Sequence, residues 1–275
     1  MSSILHESEF DSDYAFRNGL SLGDLHRSVP AAFADRAAST TRRGYVFIST
    51  AQLVDALLDA DFEATHARQV NARGERVGFA KHMIRFRHIR ESVTLVDALP
   101  EVILINSHDA SSAYELRAGL FRPVCRNGLL VRMGDFGLIR VPHRGRDVMG
   151  DVVKGALQIT QGFAGIGTVI ERMARTELAE AERTRFAEAA LAIRYRERQH
   201  APFPAAALLQ AHSPLDEGFD VWHTYNAVQY NIMQGGIAGR TVNGRRTRTR
   251  PIRAVKEDVR INTALWHQAM MLIRP

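Results

Sequence analysis

Apolar positions recur with a period near two in the first half of this chain and near 3.6 in the second, which divides it into a sheet-forming and a helix-forming part. Residues 1–18 carry few large apolar side chains and no clear period, so a mobile N-terminal segment is expected there. A short strand is predicted at Tyr45–Ile48, running into Ser49-Thr50-Ala51-Gln52, which reads as a capping box. Leu53, Val54, Leu57, Leu58 and Ala60 then supply the apolar face of a short helix. From about residue 62 to 141 the period is two. Over 77–89, Ala80, His82, Ile84 and Phe86 fall on one side and Lys81, Met83, Arg85 and Arg87 on the other. Val102–Ile105 is an unbroken apolar run of the kind a buried central strand carries. Tyr114–Val124, Leu129–Val131 and Leu138–Val141 complete a set of five or six strands. Turns are expected at Asn71–Gly74, Asn106–Ser112 and Arg126–Gly128.

Beyond Gly145 the spacing becomes helical. Asp147 is placed to cap a helix in which Val148/Met149, Val152/Val153 and Ala156/Leu157 repeat at spacing four, ending near Gly162–Gly167. A longer helical region over about 169–198 bends near 176–180. Its seven basic and six acidic residues describe a solvated face. Val221, Tyr225, Val228 and Ile232, with Trp222, define a helix that stops at Gly235-Gly236. A last helix places Val255, Val259, Asn262, Trp266 and Ile273 on one face, with Arg253, Lys256 and Arg260 roughly opposite. The pattern predicts an α+β fold: a mainly antiparallel sheet with an early helix, followed by a helical C-terminal half packed on it. The sheet-containing region spans 19–145 and the helical region 146–275, together one compact domain.

Charge changes this picture at one place. Between Arg240 and Arg260 lie eight basic residues (Arg240, Arg245, Arg246, Arg248, Arg250, Arg253, Lys256 and Arg260) against two acids, Glu257 and Asp258. The difference, +6, equals the net charge of the whole chain, so the excess is concentrated in one segment. Self-repulsion predicts a solvated, extended arm over 240–253, and arginine's planar fork suits phosphate. A polyanion, most simply nucleic acid, is the expected partner; a solvated loop is the plain alternative. Lys81, Arg85 and Arg87 form a second candidate surface, extended by Arg68, Arg73, Arg76 and Arg90, with Phe79 on the same parity to stack on a base. Such a sheet groove favours single-stranded DNA.

Other chemistry is sparse. No segment has the roughly 18–20 apolar residues that span a bilayer, and the acidic N-terminus lacks a secretory signal, so no membrane partner is expected and a cytoplasmic location is. The single cysteine, Cys125, reads as a buried small hydrophobe. Gly162-Phe-Ala-Gly165-Ile-Gly167 lacks the strand–loop–helix setting and the Lys-Ser/Thr of a phosphate loop, so no cofactor is expected. His108, Asp109 and His143 could ligate a metal or activate water in a nuclease. The bland reading makes Asn106–Ser112 a turn in which Asp109 accepts backbone N–H bonds.

The segments LINSHDASSAYEL (104–116), FRPVCRNGL (121–129), IRVPHRG (139–145), VWHTYNAVQYNIMQGGIAGR (221–240) and NTALWHQA (262–269) resemble the phage- and plasmid-associated family known as domain of unknown function 932. The resemblance covers about residues 20–273. It implies a bacterial cytoplasmic protein of mobile DNA, near genes of DNA metabolism, and supplies no mechanism. Where many of that family have Asp-Gly in the turn, this chain has Asp109-Ala110. The function expected is therefore non-sequence-specific nucleic-acid binding, with single-stranded DNA favoured, in recombination, annealing or replication; a homo-oligomer is compatible with it. The alternatives are the nuclease and an interaction protein that docks its basic arm on an acidic host defence factor.

Overall fold

The computed structural model describes residues 19–41, 45–90, 98–121, 128–130, 138–142, 147–196 and 201–273. The expected mobile segment 1–18, Cys125, His143 and the turn residues Arg126 and Asn127 lie outside the described residues. The architecture is α+β, as the hydrophobic pattern predicts. The chain divides into two compact units, Met1–Arg126 with Met133–Phe163, and Asn127–Arg132 with Ala164–Pro275.

The first unit opens with α1 (Leu22–Ser28), a short helix that the weak periodicity of this region conceals. The Ser21 hydroxyl accepts the Asp24 N–H while the Asp24 carboxylate accepts the Ser21 N–H, closing a capping box. The next helix, α2 (Thr50–Asp59), buries Leu53, Val54 and Leu57 as expected. The capping box expected at Ser49 does not form; Ser49 caps without a side-chain bond. The neighbouring Thr50 is fully buried, its hydroxyl committed to interior partners. Tyr45–Ile48 is also not a strand. Side chains hold it instead: the Tyr114 hydroxyl donates to the Ile48 carbonyl at 2.6 Å and Tyr45 donates to the Ser107 carbonyl at 3.3 Å.

Strands β1 (Phe62–Gln69), β2 (His82–His88), β3 (Leu99–Asn106) and β4 (Tyr114–Phe121) pair antiparallel in sequence order. A short strand β5 (Gly128–Leu130) falls in the second unit, and β6 (Leu138–Val141) pairs with β4. The strand expected over 77–89 starts late because Gly74–Phe79 coils into a 3₁₀ turn, where the Gln69 amide takes the Val77 carbonyl. Phe79 therefore does not share a strand parity with Lys81 and Arg85.

Register sorts the sheet into two faces. Ala64, Ala67, Ile84, Phe86, Val102, Leu104, Leu116 and Ala118 line one, and α2 and α3 (Val148–Gln161) cover it. Asp147 caps α3 by accepting the Gly150 N–H at 2.9 Å, and Val148, Val152, Ala156 and Ile159 are buried at the predicted spacing. Gly155 lets the helix approach closely, since a Cβ there would meet Leu116 and Ile139 side chains.

The second unit is helical: α4 (Phe163–Arg175), α5 (Glu180–Tyr195), α6 (Val221–Gln234) and α7 (Val255–Met270). The bend near 176–180 is present as the break between α4 and α5. Gly162 ends α3, but Gly165 and Gly167 lie inside α4, so the glycine run marks a junction narrower than expected. α6 is the central helix, packed by α5 and α7 and buried almost all round. Its Gln229 donates to Asn262 at 2.8 Å and Asn262 to Asp258 at 2.7 Å, while its buried Thr224 and Tyr225 hydroxyls make no hydrogen bond among the described residues. Gly235 ends it at φ +66°, as the glycine pair predicts.

Candidate nucleic-acid interface

Repulsion among the arginines of 240–253 predicts an extended arm; the segment instead folds into an ordered hairpin. Strands β7 (Ala238–Arg240) and β8 (Arg246–Arg248) pair antiparallel, with Ala238 opposite Arg248, Gly239 opposite Thr247 and Arg240 opposite Arg246. The physical reason lies in the loop. Asn243-Gly244 is a hairpin turn signal, Gly244 sits at φ +73°, and the Thr241 hydroxyl accepts the Arg245 N–H. Two arginine side chains add bonds to main-chain oxygens, Arg240 to Gly244 and Arg248 to Gly236, each at 2.9 Å.

The alternation of the ribbon separates its faces. Gly239 and Thr247 are half-buried, whereas Ala238, Arg240, Arg246 and Arg248 are exposed. The Arg240 N–H donates to the Pro202 carbonyl at 2.8 Å, and a Cβ on Gly239 would collide with that carbonyl, so glycine is needed for this close approach. The base is clamped. Gly235 lies against the Arg250 main chain, the Arg194 guanidinium donates to the Ile232 and Arg250 carbonyls, and the Ile252 N–H donates to Met233. The exposed strand residues border an open concavity of about 660 Å³.

Among the described residues, none of Arg240, Arg245, Arg246, Arg248, Arg250 and Arg253 has an acidic partner, and all six are exposed. Arg240 and Arg246 stand directly opposite one another on the same face, a like-charge pair that costs stability in the absence of a counter-anion. Lys256 is also exposed. Arg260 is not part of this surface. It is half-buried, bonded to Glu257 at 2.5 and 2.9 Å and to the Ile193 carbonyl at 2.8 Å. The hydrogen bonds from Arg260 hold the Glu257 carboxyl below its usual range.

The second candidate surface is closed. Arg85 and Arg87 point to the expected side of β2, but that side is not open to solvent: they are 4% and 7% exposed. Both converge on Glu101 of β3, itself 1% exposed, with Arg85 Nε at 2.5 Å and Arg87 at 3.1 Å. Arg85 also lies over the Phe121 ring at 4.2 Å. Cross-strand pairing explains the arrangement, because Glu63, Arg87 and Glu101 share one face of three neighbouring strands. Their mutual charges are neutralised there and offered to no ligand. Lys81, half-buried just before the strand, stands apart from this network, and Arg90 pairs with Asp61.

His108 and Asp109 also separate. His108 is fully buried at the end of the sheet, in a cluster centred on Thr50, whose Oγ1 lies 3.1 Å from His108 Nε2, 3.1 Å from His82 Nε2 and 3.0 Å from the Asn106 amide. His82 Nδ1 donates to the Ala80 carbonyl at 3.0 Å, so its Nε2 is an acceptor and takes the Thr50 proton. The Thr50 oxygen then accepts from Asn106 and from a protonated His108 Nε2. The two rings thus meet Thr50 in opposite roles, His82 Nε2 accepting and His108 Nε2 donating. Burial pushes the His82 pKa down to about 4. Asp109 is exposed and accepts the Ser111 N–H at 2.9 Å, the turn role anticipated for it, while Ala110 takes a left-handed φ of +60°. Among the described residues no group of three or more His, Cys, Asp or Glu could hold a metal ion.

Comparison with known proteins gives a family without an activity. The family model described as "Domain of unknown function (DUF932)" matches residues 37–266. Two curated relatives from Escherichia coli (strain K12), "UPF0380 protein YfjQ" and "UPF0380 protein YafZ", are each similar to this chain. Each is 36% identical over 251 residues, covering 91% of this chain and 90% of the relative. No solved structure matches it. No helix among the described residues is long and apolar enough to cross a membrane.

Proposed function

We propose that this chain, which belongs to the DUF932 family, binds nucleic acid through the phosphate backbone without reading sequence, at the arginine hairpin. One observation carries the reading: six exposed arginines, none with an acidic partner among the described residues, are gathered on an ordered and clamped hairpin. Folding like charges into opposed register costs free energy that an anion returns on binding. Arginine on phosphate positions a duplex or strand and carries no base information. The sheet face that favoured a single strand is tied up in buried ion pairs, so the reading now rests on the hairpin alone. A setting in recombination or replication of mobile DNA is part of the proposal through the family resemblance.

The test is an anisotropy titration of labelled oligonucleotides with purified protein, with and without magnesium. Binding without cleavage, weakened alike for unrelated sequences when Arg245, Arg246, Arg248 and Arg250 become glutamine, is the expected result. Failure to bind any nucleic acid at low salt would overturn the reading and leave an acidic protein as the arm's partner.

A further inference from the structure

We infer that the hairpin's ligand is B-form double-stranded DNA, with the two-stranded ribbon seated in the major groove. This inference rests on the nucleic-acid reading above and narrows it.

Shape is the first argument. Two paired strands lie about 4.8 Å apart, and with side chains the ribbon is roughly 10 Å across. A major groove about 12 Å wide admits such a ribbon, and a minor groove about 6 Å wide does not. The A-form groove of duplex RNA is deep and narrow, which excludes the same fit there.

Orientation is the second. The Gly239 and Thr247 face is turned inward and Gly239 lies on Pro202, so Arg240, Arg246 and Arg248 are presented outward from a fixed base. On β8, residues two apart on one face stand about 6.7 Å from each other. Arg246 and Arg248 thus extend one row of charge along the strand, and Arg240 faces it across the ribbon. A row on β8 with one arginine opposite it on β7, where the other outward residue is Ala238, suits phosphates at both lips of a groove.

The tip supplies the third argument. Residues 241–246 are all exposed, and Val242 is 80% exposed at the protruding turn. Packing gives this apolar residue no role. The major groove is wide and deep enough to take this branched tip whatever bases lie beneath it, and the minor groove is not. Finally, residues 235–253 contain no aromatic side chain. A site for single strands normally offers bases a ring to stack on, and this one offers none.

The experiment uses this chain and one sequence that alternates short A·T tracts with cytosines on both strands. Five forms are prepared: each single strand, the DNA duplex, the RNA duplex, and a DNA duplex in which every cytosine is a glucosylated 5-hydroxymethylcytosine that obstructs the major groove. The plain duplex should bind at least about tenfold tighter than either single strand or the RNA duplex, and the groove-filled duplex about tenfold weaker than the plain one. Distamycin, which occupies the minor groove, should change the affinity less than about twofold. Replacing Arg240, Arg246 and Arg248 by glutamine should abolish the discrimination with only a small drop in melting temperature, since all three side chains are exposed and two of them give up one bond each, to the Gly244 and Gly236 carbonyls. Equal affinity for single strands, indifference to groove filling, or displacement by distamycin would each overturn the inference and leave backbone binding at the hairpin intact. Absence of binding to every form would sink both.

Discussion

Thr50→Val is the sharpest probe of the first unit, because it removes one oxygen and changes little else. The side chain is fully buried, and its hydroxyl meets His82, Asn106 and His108 at 3.0–3.1 Å. Valine keeps the volume and the branching at Cβ, so the loss is polar rather than steric. Three hydrogen bonds at about 1 kcal/mol each set a floor near 3 kcal/mol, and buried groups left under-satisfied raise it toward about 5. Thr50→Ser keeps the hydroxyl and loses one methyl group, for about 1 kcal/mol. As a control, the Thr184 hydroxyl donates to the Glu180 carbonyl on an exposed helix face, and Thr184→Val should stay within about 0.5 kcal/mol of the parent. Urea denaturation at neutral pH with unchanged m-values reads the three variants against one another. A Thr50→Val cost within about 1 kcal/mol of the Thr50→Ser cost would refute the hub assigned to this hydroxyl.

Three other outcomes follow from the same geometry. Ala110 holds φ +60°, so Ala110→Gly should stabilise the chain by about 0.5–1 kcal/mol in thermal melts, and a loss would show that the left-handed turn carries no strain. Glu101→Gln leaves Arg85 and Arg87 buried without their shared carboxylate and should cost about 3–5 kcal/mol; a cost under about 1 would mean the pair is solvated. His82 has a folded pKa of about 4 against an ordinary 6.5, so the unfolded chain binds the proton first as pH falls. The stability this ring contributes is present above pH 6.5 and declines by up to about 3 kcal/mol on the way to pH 4. His82→Gln should flatten that slope in denaturant titrations, and an unchanged slope would place the titration elsewhere.

Much of the fold is legible in the sequence because burial here follows period. Leu53 and Leu57 on α2, the apolar run of β3, the Asp147 cap and the Gly235 stop all obey local rules that tertiary context leaves alone. The site is less legible. Alternation correctly puts Arg85 and Arg87 on one side of β2, with Lys81 just before the strand, but it carries no information about a carboxylate on the neighbouring strand, and Glu101 makes that face an interior one. Thr50 reads as a helix start, and only the fold brings it to residues 32 and 56 positions away, His82 and Asn106. The hairpin does carry a sequence mark, Asn243-Gly244 between alternating Thr and Arg, a local turn signal that outweighs the repulsion among the arginines. The docking of Gly239 on Pro202 and the clamp from Arg194 depend on long-range contacts with no sequence mark.

The claim that the hairpin arginines bind phosphate is tested most directly by the salt dependence of DNA affinity, parent against variant. If all six of Arg240, Arg245, Arg246, Arg248, Arg250 and Arg253 engage, log affinity should fall with log salt at a slope of about −5, roughly three decades between about 50 and 200 mM. Replacing Arg245, Arg246, Arg248 and Arg250 by glutamine leaves two of the six, and the slope should shrink to about −2. A variant that binds with the parent's slope and affinity would contradict the account and move the site away from the hairpin.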